Sequence, residues 1–424
     1  MLKIIALVTF IGVYALFLLL PKYRAAASVA AAALFVALGI VPWREAPGVI
    51  NWNVLLMLVG TMGIVELFGR SQMPNRLSDK LVRLLPDVKS TIIALALFSG
   101  FVSAFLDNVA TVLMLAPVGL AIAKKLNVSP VGMILAIAVS SNLQGAATLV
   151  GDTTSILLGG HLDMDFMDFF AYRGTAGMFW VVQAGALATV PVMMVLFRKE
   201  RGCLEKDHHL TPVTDYLPTW LLLGTVVCLI LASFLPGRPE LTNGFICMAF
   251  FAAGLLLECI KGQEKGFVKD IVRAIDYETL ALLAGLFLLI DGIDRVGIIR
   301  DVSDLIARLG GGSLFWTYTI VVWGSVLISA FVDNIPYTAT MLPVVAGVAS
   351  AMGVDQTALC FGLLTGATLG GNLTPVGASA NIAAAGILRK EGYEITTGQF
   401  MRIGVPFTLA AVLVGYVLVW VLYT

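Results

Sequence analysis

Charge is scarce in this chain, and neither sign is in surplus. Only 13% of the residues are charged, whereas an ordinary soluble domain has about 25%. Lys and Arg together number 27, as do Asp and Glu, so the chain lacks the basic excess that binds nucleic-acid phosphates. Hydrophobic residues make up 59% and the mean hydropathy is +0.93. This composition excludes a water-soluble fold and indicates a protein embedded in a lipid bilayer.

The cysteines and histidines lack a metal-site pattern. No C-x-x-C pair occurs, and no spacing is typical of zinc or of a disulfide framework. His208 and His209 are adjacent in a hydrophilic loop, where they cannot face one ligand from a helix. We therefore expect no cofactor. The cysteines, which we interpret as small apolar residues, are Cys203, Cys228, Cys247, Cys259 and Cys360.

Long apolar runs recur from one end of the chain to the other. Most are long enough to cross a hydrocarbon core of about 30 Å. The first run is followed by Pro21-Lys22-Tyr23-Arg24 and not by a small-residue cleavage site, so we predict a retained span. The predicted fold class is an all-α polytopic membrane protein with about ten spans. These lie near 2–20, 25–41, 52–69, 131–160, 174–197, 217–235, 241–260, 277–294, 355–388 and 402–423.

Two further apolar stretches, 90–125 and 313–351, are too long for a single crossing. Each is interrupted by an Asp-Asn pair, Asp107-Asn108 in the first and Asp333-Asn334 in the second. We predict that each is a re-entrant hairpin that turns at this pair. The hairpins would lie beside discontinuous helices at the membrane midplane.

The distribution of basic residues predicts the orientation. With the N-terminus outside, twenty of the 27 basic residues fall in inside loops, as cytoplasmic loops require. We expect a multi-pass protein of the cell inner (plasma) membrane with both termini outside. Segments 74–86 and 297–309 alternate apolar and charged residues at helical spacing, which predicts an interfacial helix before each hairpin.

The two halves of the chain repeat each other. The residues from Ser103 to Asn108 recur 226 positions later, from Ser329 to Asn334, and matched Pro, Gly and Thr residues keep this offset. Five crossings separate equivalent spans, so the second copy must be inverted, as in alternating-access transporters. We predict a first inverted repeat at 1–216, with hairpin 90–125 and broken helix 131–160. The second is 217–424, with hairpin 313–351 and broken helix 355–388.

The chemistry is predicted at the hairpin tips and helix breaks. A carboxylate inside a span costs roughly 2.5 to 3.5 kcal/mol, so Asp107 and Asp333 are expected to have a function. A role as helix caps alone is the structural alternative. Glycines, Pro375 and hydroxyl residues break the two matched helices, where free carbonyls suit a cation and helix N-termini suit an anion.

The predicted cation and substrate site lies between the two hairpin tips and the two helix breaks. A possible Na⁺ site is placed at Asp107, Asn108, Asp333 and Asn334, with a proton on one Asp as the alternative coupling route. Glu66 and Asp291 are weaker candidates, because Arg70 and Arg295 lie one helical turn away. The predicted binding residues are Asp107, Asn108, Thr111, Asn142, Gly145, Thr148, Gly151, Asp152, Thr153, Asp333, Asn334, Thr338, Gly371, Asn372, Thr374, Gly377, Ser379 and Asn381.

At these motifs the chain resembles the ion transporter superfamily. The tip sequences, with Thr111 after the first and Pro336 after the second, and the run from Gly370 to Asn381 are similar to the branch of ArsB arsenite permeases, NhaD sodium/proton antiporters and the melanosomal P protein. This branch is citrate-transporter-like and related to divalent anion/sodium symporters. The resemblance implies an elevator-type transport domain that moves against a scaffold, and a homodimer.

The sequence thus predicts a secondary active transporter and no enzyme. Its substrate would be a small anion or oxyanion, such as arsenite or an organic carboxylate, coupled to Na⁺ or H⁺. Na⁺/H⁺ antiport is the alternative within the same class. An ion channel and an intramembrane aspartyl protease are the alternatives from other classes, although neither Asp107 nor Asp333 lies in the Gly-x-Gly-Asp context of such proteases.

Overall fold

The computed structural model shows an almost wholly helical chain. It describes residues 2–85, 87–125, 128–200, 210–261 and 266–424. His208, His209 and Cys203 lie outside the described residues. The other four cysteines are free thiols. The coarse prediction of an all-α membrane protein is confirmed, because apolar helices follow one another from Leu2 to Tyr423.

The apolar runs of the first half form helices, and some of these begin at a polar residue that caps them. Asn51, for example, caps its helix by accepting a hydrogen bond from the Val54 N–H at 3.1 Å. Asp276, 225 positions later, caps the matched helix of the second half through the Thr279 N–H at 3.0 Å. The helices of the first half are α1 Leu2–Leu19, α2 Arg24–Ala37, α3 Ala46–Val49, α4 Trp52–Arg70, α5 Met73–Arg83, α6 Val88–Ser103, α7 Asn108–Lys125, α8 Val131–Gly145, α9 Thr153–His161 and α10 Met178–Leu196.

The second half follows the same order of long, short and paired helices. The first half also contains a small antiparallel ribbon, which was not predicted from the sequence. It consists of β1 Ala171–Tyr172 and β2 Thr175–Ala176 and precedes α10. The helices of the second half are α11 Leu217–Ser233, α12 Thr242–Ile260, α13 Phe267–Ala274, α14 Tyr277–Arg295, α15 Ile298–Leu309, α16 Leu314–Ser329, α17 Asn334–Met352, α18 Thr357–Gly370, α19 Ser379–Lys390 and α20 Thr397–Tyr423.

Counted by helix length and composition, the spans are fewer than the predicted ten. Among the described residues, six helices are long and apolar enough to cross a membrane, or seven if the bent pair α15 and α16 is one span. The other predicted spans correspond to shorter apolar helices such as α2 and α11, or to helices that break in the middle. A mid-span break divides one crossing into two short helices, so helix length alone undercounts such crossings.

Both predicted hairpin turns occur at the Asp-Asn pairs. α6 ends at Ser103 and α7 begins at Asn108, and α16 ends at Ser329 and α17 begins at Asn334. The amphipathic segments before them form α5 and α15, and a bend of 115° separates α15 from α16. Both predicted broken helices are also present, as the pairs α8/α9 and α18/α19.

Helices of one half pack closely on helices of the other. Gly60 of α4 lies directly against Cys247 of α12. A β-carbon added at Gly60 would be only 2.6 Å from the Cys247 β-carbon. Gly285 of α14 lies in the same way against α2, where an added β-carbon would be 2.8 Å from the Val29 nitrogen. Glycine permits this close approach of two backbones, as is common between helices in membranes. The pairs α4/α12 and α2/α14 thus connect the halves.

Candidate functional site

The first hairpin tip uses only one of its carboxylate oxygens as a hydrogen-bond acceptor among the described residues. Asp107 Oδ1 accepts hydrogen bonds from the N–H groups of Val109 and Ala110, at 2.9 and 3.0 Å, and so caps α7. Among the described residues, no group donates a hydrogen bond to Asp107 Oδ2. The capping role considered from the sequence is therefore real, but it uses only half of the carboxylate.

The second tip uses both of its carboxylate oxygens. Asp333 Oδ1 accepts from the Ile335 N–H at 3.1 Å, which repeats the cap of the first tip. Asp333 Oδ2 lies 2.6 Å from Arg24 Nη1 and 2.9 Å from Ser379 Oγ. The Asp333 side chain is 13% exposed and that of Arg24 is 21% exposed. This carboxylate thus has a cationic partner from α2, whereas no basic residue within the described ranges pairs with Asp107.

Each helix break is tied to the tip of its own half by the same hydrogen bond. Between α8 and α9, the Thr148 hydroxyl donates to the carbonyl oxygen of Ala104. Between α18 and α19, Thr374 donates to Ala330. Both pairs keep the offset of 226. The repeat seen in the sequence is therefore also a repeat of contacts.

The glycines of the breaks bring carbonyl groups together. A β-carbon at Gly151 would lie 2.7 Å from the Gly145 oxygen and 2.9 Å from the Ala104 oxygen. The equivalent atom at Gly377 would lie 2.7 Å from the Gly371 oxygen and 2.8 Å from the oxygen of Ala330. No larger residue fits either position without backbone movement. Several carbonyl oxygens of a tip and its break are thus held within a small volume.

A chain of buried amides joins the first tip to both breaks. Asn108 Nδ2 donates to Asn142 Oδ1 at 2.7 Å, and Asn142 Nδ2 donates to Asn372 Oδ1 at 2.9 Å. Asn372 Nδ2 in turn donates to the Val139 oxygen at 2.9 Å. Asn142 and Asn372 are completely buried. The chain of bonds therefore passes from one half of the protein to the other.

Asp152 joins the second tip to the first break. Its Oδ1 accepts from the Thr153 N–H at 2.8 Å, which caps α9. Its Oδ2 accepts from the Thr154 hydroxyl at 2.8 Å and from Asn334 Nδ2 at 3.3 Å. In the second half the equivalent position is Ala378, and α19 has no side-chain cap. The two breaks thus match in backbone shape but differ in charge.

Some buried oxygens of this region have no partner among the described residues. They include the hydroxyl oxygens of Ser103, Thr111 and Thr338 and the Oδ1 atom of Asn381, all in residues with no solvent exposure. Asn381 Nδ2 donates to the Gly371 oxygen at 3.0 Å, so the side chain is held in place. Buried polar atoms normally find partners, and orphaned atoms often mark a site for an ion, water or ligand.

All predicted site residues lie at the tips, in the breaks or in the adjacent helix turns. Hydrogen bonds connect Asn108, Asn142 and Asn372, and separately Asn334 with Asp152. Thr111 and Thr338 lie near the starts of α7 and α17, but their hydroxyl groups join neither network. No cluster of three or more His, Cys, Asp or Glu side chains suited to a metal ion occurs in the described ranges.

The weaker candidates Glu66 and Asp291 form local ion pairs instead. Glu66 Oε1 is 2.7 Å from Arg70 Nε, and Asp291 Oδ2 is 2.5 Å from Arg295 Nε. Arg295 also contacts Glu45 at 2.8 Å. The alternative of a local pair is therefore confirmed for both residues.

The sequence did not reveal two residues that contact the second tip. Arg24 pairs with Asp333, and the Tyr14 hydroxyl donates to the Pro336 oxygen at 2.8 Å and also contacts the Thr340 hydroxyl. Both residues come from the N-terminal helices and were not matched in the other half. The only available signal was a basic residue, Arg24, at the border of an apolar run.

Comparison with known proteins identifies the family. Residues 14–366 match the family CitMHS, described as citrate transporter. An uncharacterised transporter of Mycobacterium tuberculosis is 31% identical over 381 residues, covering 88% of this chain and 87% of its own. The human P protein is 27% identical, over 95% of this chain and 58% of its own. The crystal structure of the YdaH transporter of Alcanivorax borkumensis, at 15% identity, has a similar fold, with a TM-score of 0.61 over 89% of this chain and 86% of its own.

Proposed function

This chain belongs to the CitMHS citrate transporter family, and we propose that it is a secondary active transporter for a small anion or oxyanion. An organic carboxylate or arsenite would be the substrate, coupled to Na⁺ or H⁺. The proposed site lies between the tips at Asp107-Asn108 and Asp333-Asn334 and the two helix breaks.

The observation that carries this proposal is the pair of networks that cross between the halves. Asn108, Asn142 and Asn372 form one, and Asn334 with Asp152 forms the other. Such buried networks place carbonyl, amide and carboxylate oxygens beside helix N-termini at the centre of the fold. Those oxygens suit a hard cation, and the helix N-termini suit an anion. A purely structural core would have little use for so many polar groups in lipid.

Asp107 is the proposed coupling carboxylate. Its Oδ1 is engaged by two backbone N–H groups, while Oδ2 has no hydrogen-bond donor among the described residues. A carboxylate oxygen in this position accepts either Na⁺ or a proton. Exchange of Na⁺ for H⁺ is a second candidate function, because one such oxygen suffices to carry both ions in turn.

Ion pairs between distant segments support the proposed inverted topology. Lys124, at the end of α7, contacts Glu391 at 2.5 Å, and both residues are predicted inside, beside the first hairpin. Lys3 contacts Asp301 at 2.6 Å, and Arg173 contacts Asp355 at 2.7 Å, and all four residues are predicted outside, beside the second hairpin. Each pair links segments that the predicted topology places on one side. We propose that the hairpins enter from opposite sides, with both termini outside, in the inner membrane.

An elevator movement is proposed for the alternating-access step. The pairs α4/α12 and α2/α14 would form a scaffold, against which the hairpins and broken helices move. Large apolar side chains such as Trp220 and Phe245 are 69% and 60% exposed on α11 and α12. Such a surface suits lipid or a second copy of the chain, and a homodimer is the proposed assembly.

The rival functions receive less support. Among the described residues no hydrogen bond joins Asp107 to Asp333, which an aspartyl protease with a shared proton would need. A channel would need a continuous polar path, whereas Asn108, Asn142, Asn334 and Asn372 are all at most 5% exposed.

Flux measurements in proteoliposomes test the proposal. Radiolabelled citrate and arsenite would be offered separately under an imposed Na⁺ gradient, an imposed pH gradient, or neither. We expect saturable uptake or exchange that depends on one gradient. An ion-gradient assay with Na⁺ and H⁺ alone tests the antiport candidate. Absence of all fluxes from folded protein would refute a transport function, and rapid non-saturable flux would indicate a channel.

A further inference from the structure

Among the described residues, side chains of the N-terminal helices α1 and α2 bond to the second hairpin tip and its returning helix but not to the first. Arg24, the first residue of α2, pairs with Asp333, and Tyr14 of α1 contacts Pro336 and Thr340 of α17. In the part of the chain that the structure describes, no basic side chain contacts Asp107. The two tips, which are nearly identical in sequence, therefore differ in their contacts with the N-terminal helices.

The contacts of Arg24 are those that a bound cation would make. Its Nη1 is 2.6 Å from Asp333 Oδ2, and the Ser379 hydroxyl oxygen is 2.9 Å from the same oxygen. A carboxylate and a hydroxyl on a helix N-terminus form one side of an oxygen shell for a small hard cation. Two positive charges cannot share one carboxylate oxygen in a half-buried place without a large electrostatic cost.

We propose that Arg24 is a tethered cation that keeps Na⁺ from the second tip, so that Na⁺ binds at Asp333 only after Arg24 leaves. This inference rests on the proposed transport function. Arg24 is a positioning residue on α2 of the proposed scaffold, and the tip belongs to the proposed moving part. Na⁺ at Asp333 therefore favours a conformation in which α2 and the tip are apart, which links ion binding to movement.

Thermal unfolding of the purified full-length protein tests the inference without a transported substrate. The apparent melting temperature would be measured against NaCl concentration, with choline chloride keeping the ionic strength constant. In Arg24→Gln we expect the Na⁺ concentration for half of the stabilisation to fall by about tenfold, because the competitor is gone. Arg173→Gln is the matched control, since it breaks an exposed arginine-aspartate pair at 2.7 Å far along the chain. It should titrate like the unchanged protein.

Two further variants locate the effect. Arg24→Lys keeps the positive charge and should titrate close to the unchanged protein. The double variant Arg24→Gln with Asp333→Asn removes both charges, and the gain in Na⁺ response should disappear. If the double variant keeps the gain, Na⁺ binds elsewhere and the inference is wrong.

The outcome is separable from that of the proposed function. Gradient-driven flux in the unchanged protein, combined with the same Na⁺ titration in Arg24→Gln and Arg173→Gln, would overturn the tethered-cation inference and leave the transport function standing. Absence of flux would instead refute the function, whatever the titrations give.

Discussion

The two hairpin tips have nearly the same sequence and backbone but different electrostatic surroundings. Both turn at Asp-Asn, both use one carboxylate oxygen to cap the returning helix, and both are bonded by a threonine of the adjacent break. In the part of the chain that the structure describes, an arginine contacts Asp333 but none contacts Asp107. The two tips therefore share their geometry, whereas the pairing of Asp333 with Arg24 of α2 makes their electrostatic surroundings different.

The two helix breaks also differ in charge. Asp152 supplies a carboxylate to the first break, and Ala378 supplies none to the second. The first half thus has an additional acid in its break, and the break of the second half has none. The first break is therefore the more negative of the two.

The largest expected effect follows from replacing the free carboxylate. Asp107→Asn keeps an oxygen for the cap but removes the charge, so coupled flux should fall roughly 100-fold, or about 2.8 kcal/mol. The melting temperature should change little. The measurement is initial flux in proteoliposomes, with Asp301→Asn as the control because its partner Lys3 is an exposed surface residue. Wild-type flux in Asp107→Asn would contradict the assignment.

The glycines of the two helix breaks test whether the halves are equally closely packed at these positions. Gly151→Ala and Gly377→Ala should each lower the stability by about 1 to 3 kcal/mol, because the added methyl group meets carbonyl oxygens at 2.7 to 2.9 Å. The melting temperature in detergent measures this loss. In Gly324→Ala the new atom has no neighbour within 4 Å, so that variant should be unaffected. A large difference between the two break variants would show that the halves are not equivalent here.

Replacing the paired carboxylate tests how much its ion pair with Arg24 contributes to stability. Asp333→Asn leaves Arg24 without its partner in a half-buried place, so we expect a loss of about 1 to 2 kcal/mol, less than for a fully buried pair. Asp107→Asn should lose less stability. The comparison needs only the two melting temperatures under identical conditions. The reverse order of stability would mean that the ion pair with Arg24 contributes little.

The smallest effect is expected at the tyrosine that contacts the second hairpin. Tyr14→Phe removes the hydrogen bonds to Pro336 and Thr340 and should cost about 0.5 to 1.5 kcal/mol. Tyr393→Phe, in the loop after α19, is the control. Equal melting temperatures for the two variants would show that α1 does not stabilise the second tip.

Local patterns in the sequence were sufficient for much of this architecture. Apolar length and the Asp-Asn pairs located the hairpin turns, because a chain that must turn inside lipid needs side chains to cap the exposed backbone. Glycine and Pro375 located the helix breaks, and the offset of 226 paired Thr148 with Thr374. The count of ten spans was not confirmed, since interrupted and short helices do not reach full span length.

Contacts between distant segments could not be predicted in this way. Nothing in the spacing of Asn142 and Asn372 indicates that their side chains meet, because that contact depends on how the halves pack. Arg24 borders an apolar run in the sequence, and its pairing with Asp333 depends on the position of α2. Periodicity and composition describe single elements, whereas a site between elements depends on tertiary geometry.

The two hairpins are proposed to enter the membrane from opposite sides, and thiol labelling distinguishes the two sides. Single cysteines would replace Arg83 at the end of α5 and Arg308 near the end of α15, in a variant without native cysteines. A membrane-impermeant reagent would then be applied to intact cells and to inverted membrane vesicles. We expect Arg308→Cys to react in cells and Arg83→Cys only in inverted vesicles. Reaction of both cysteines from the same side would contradict the account.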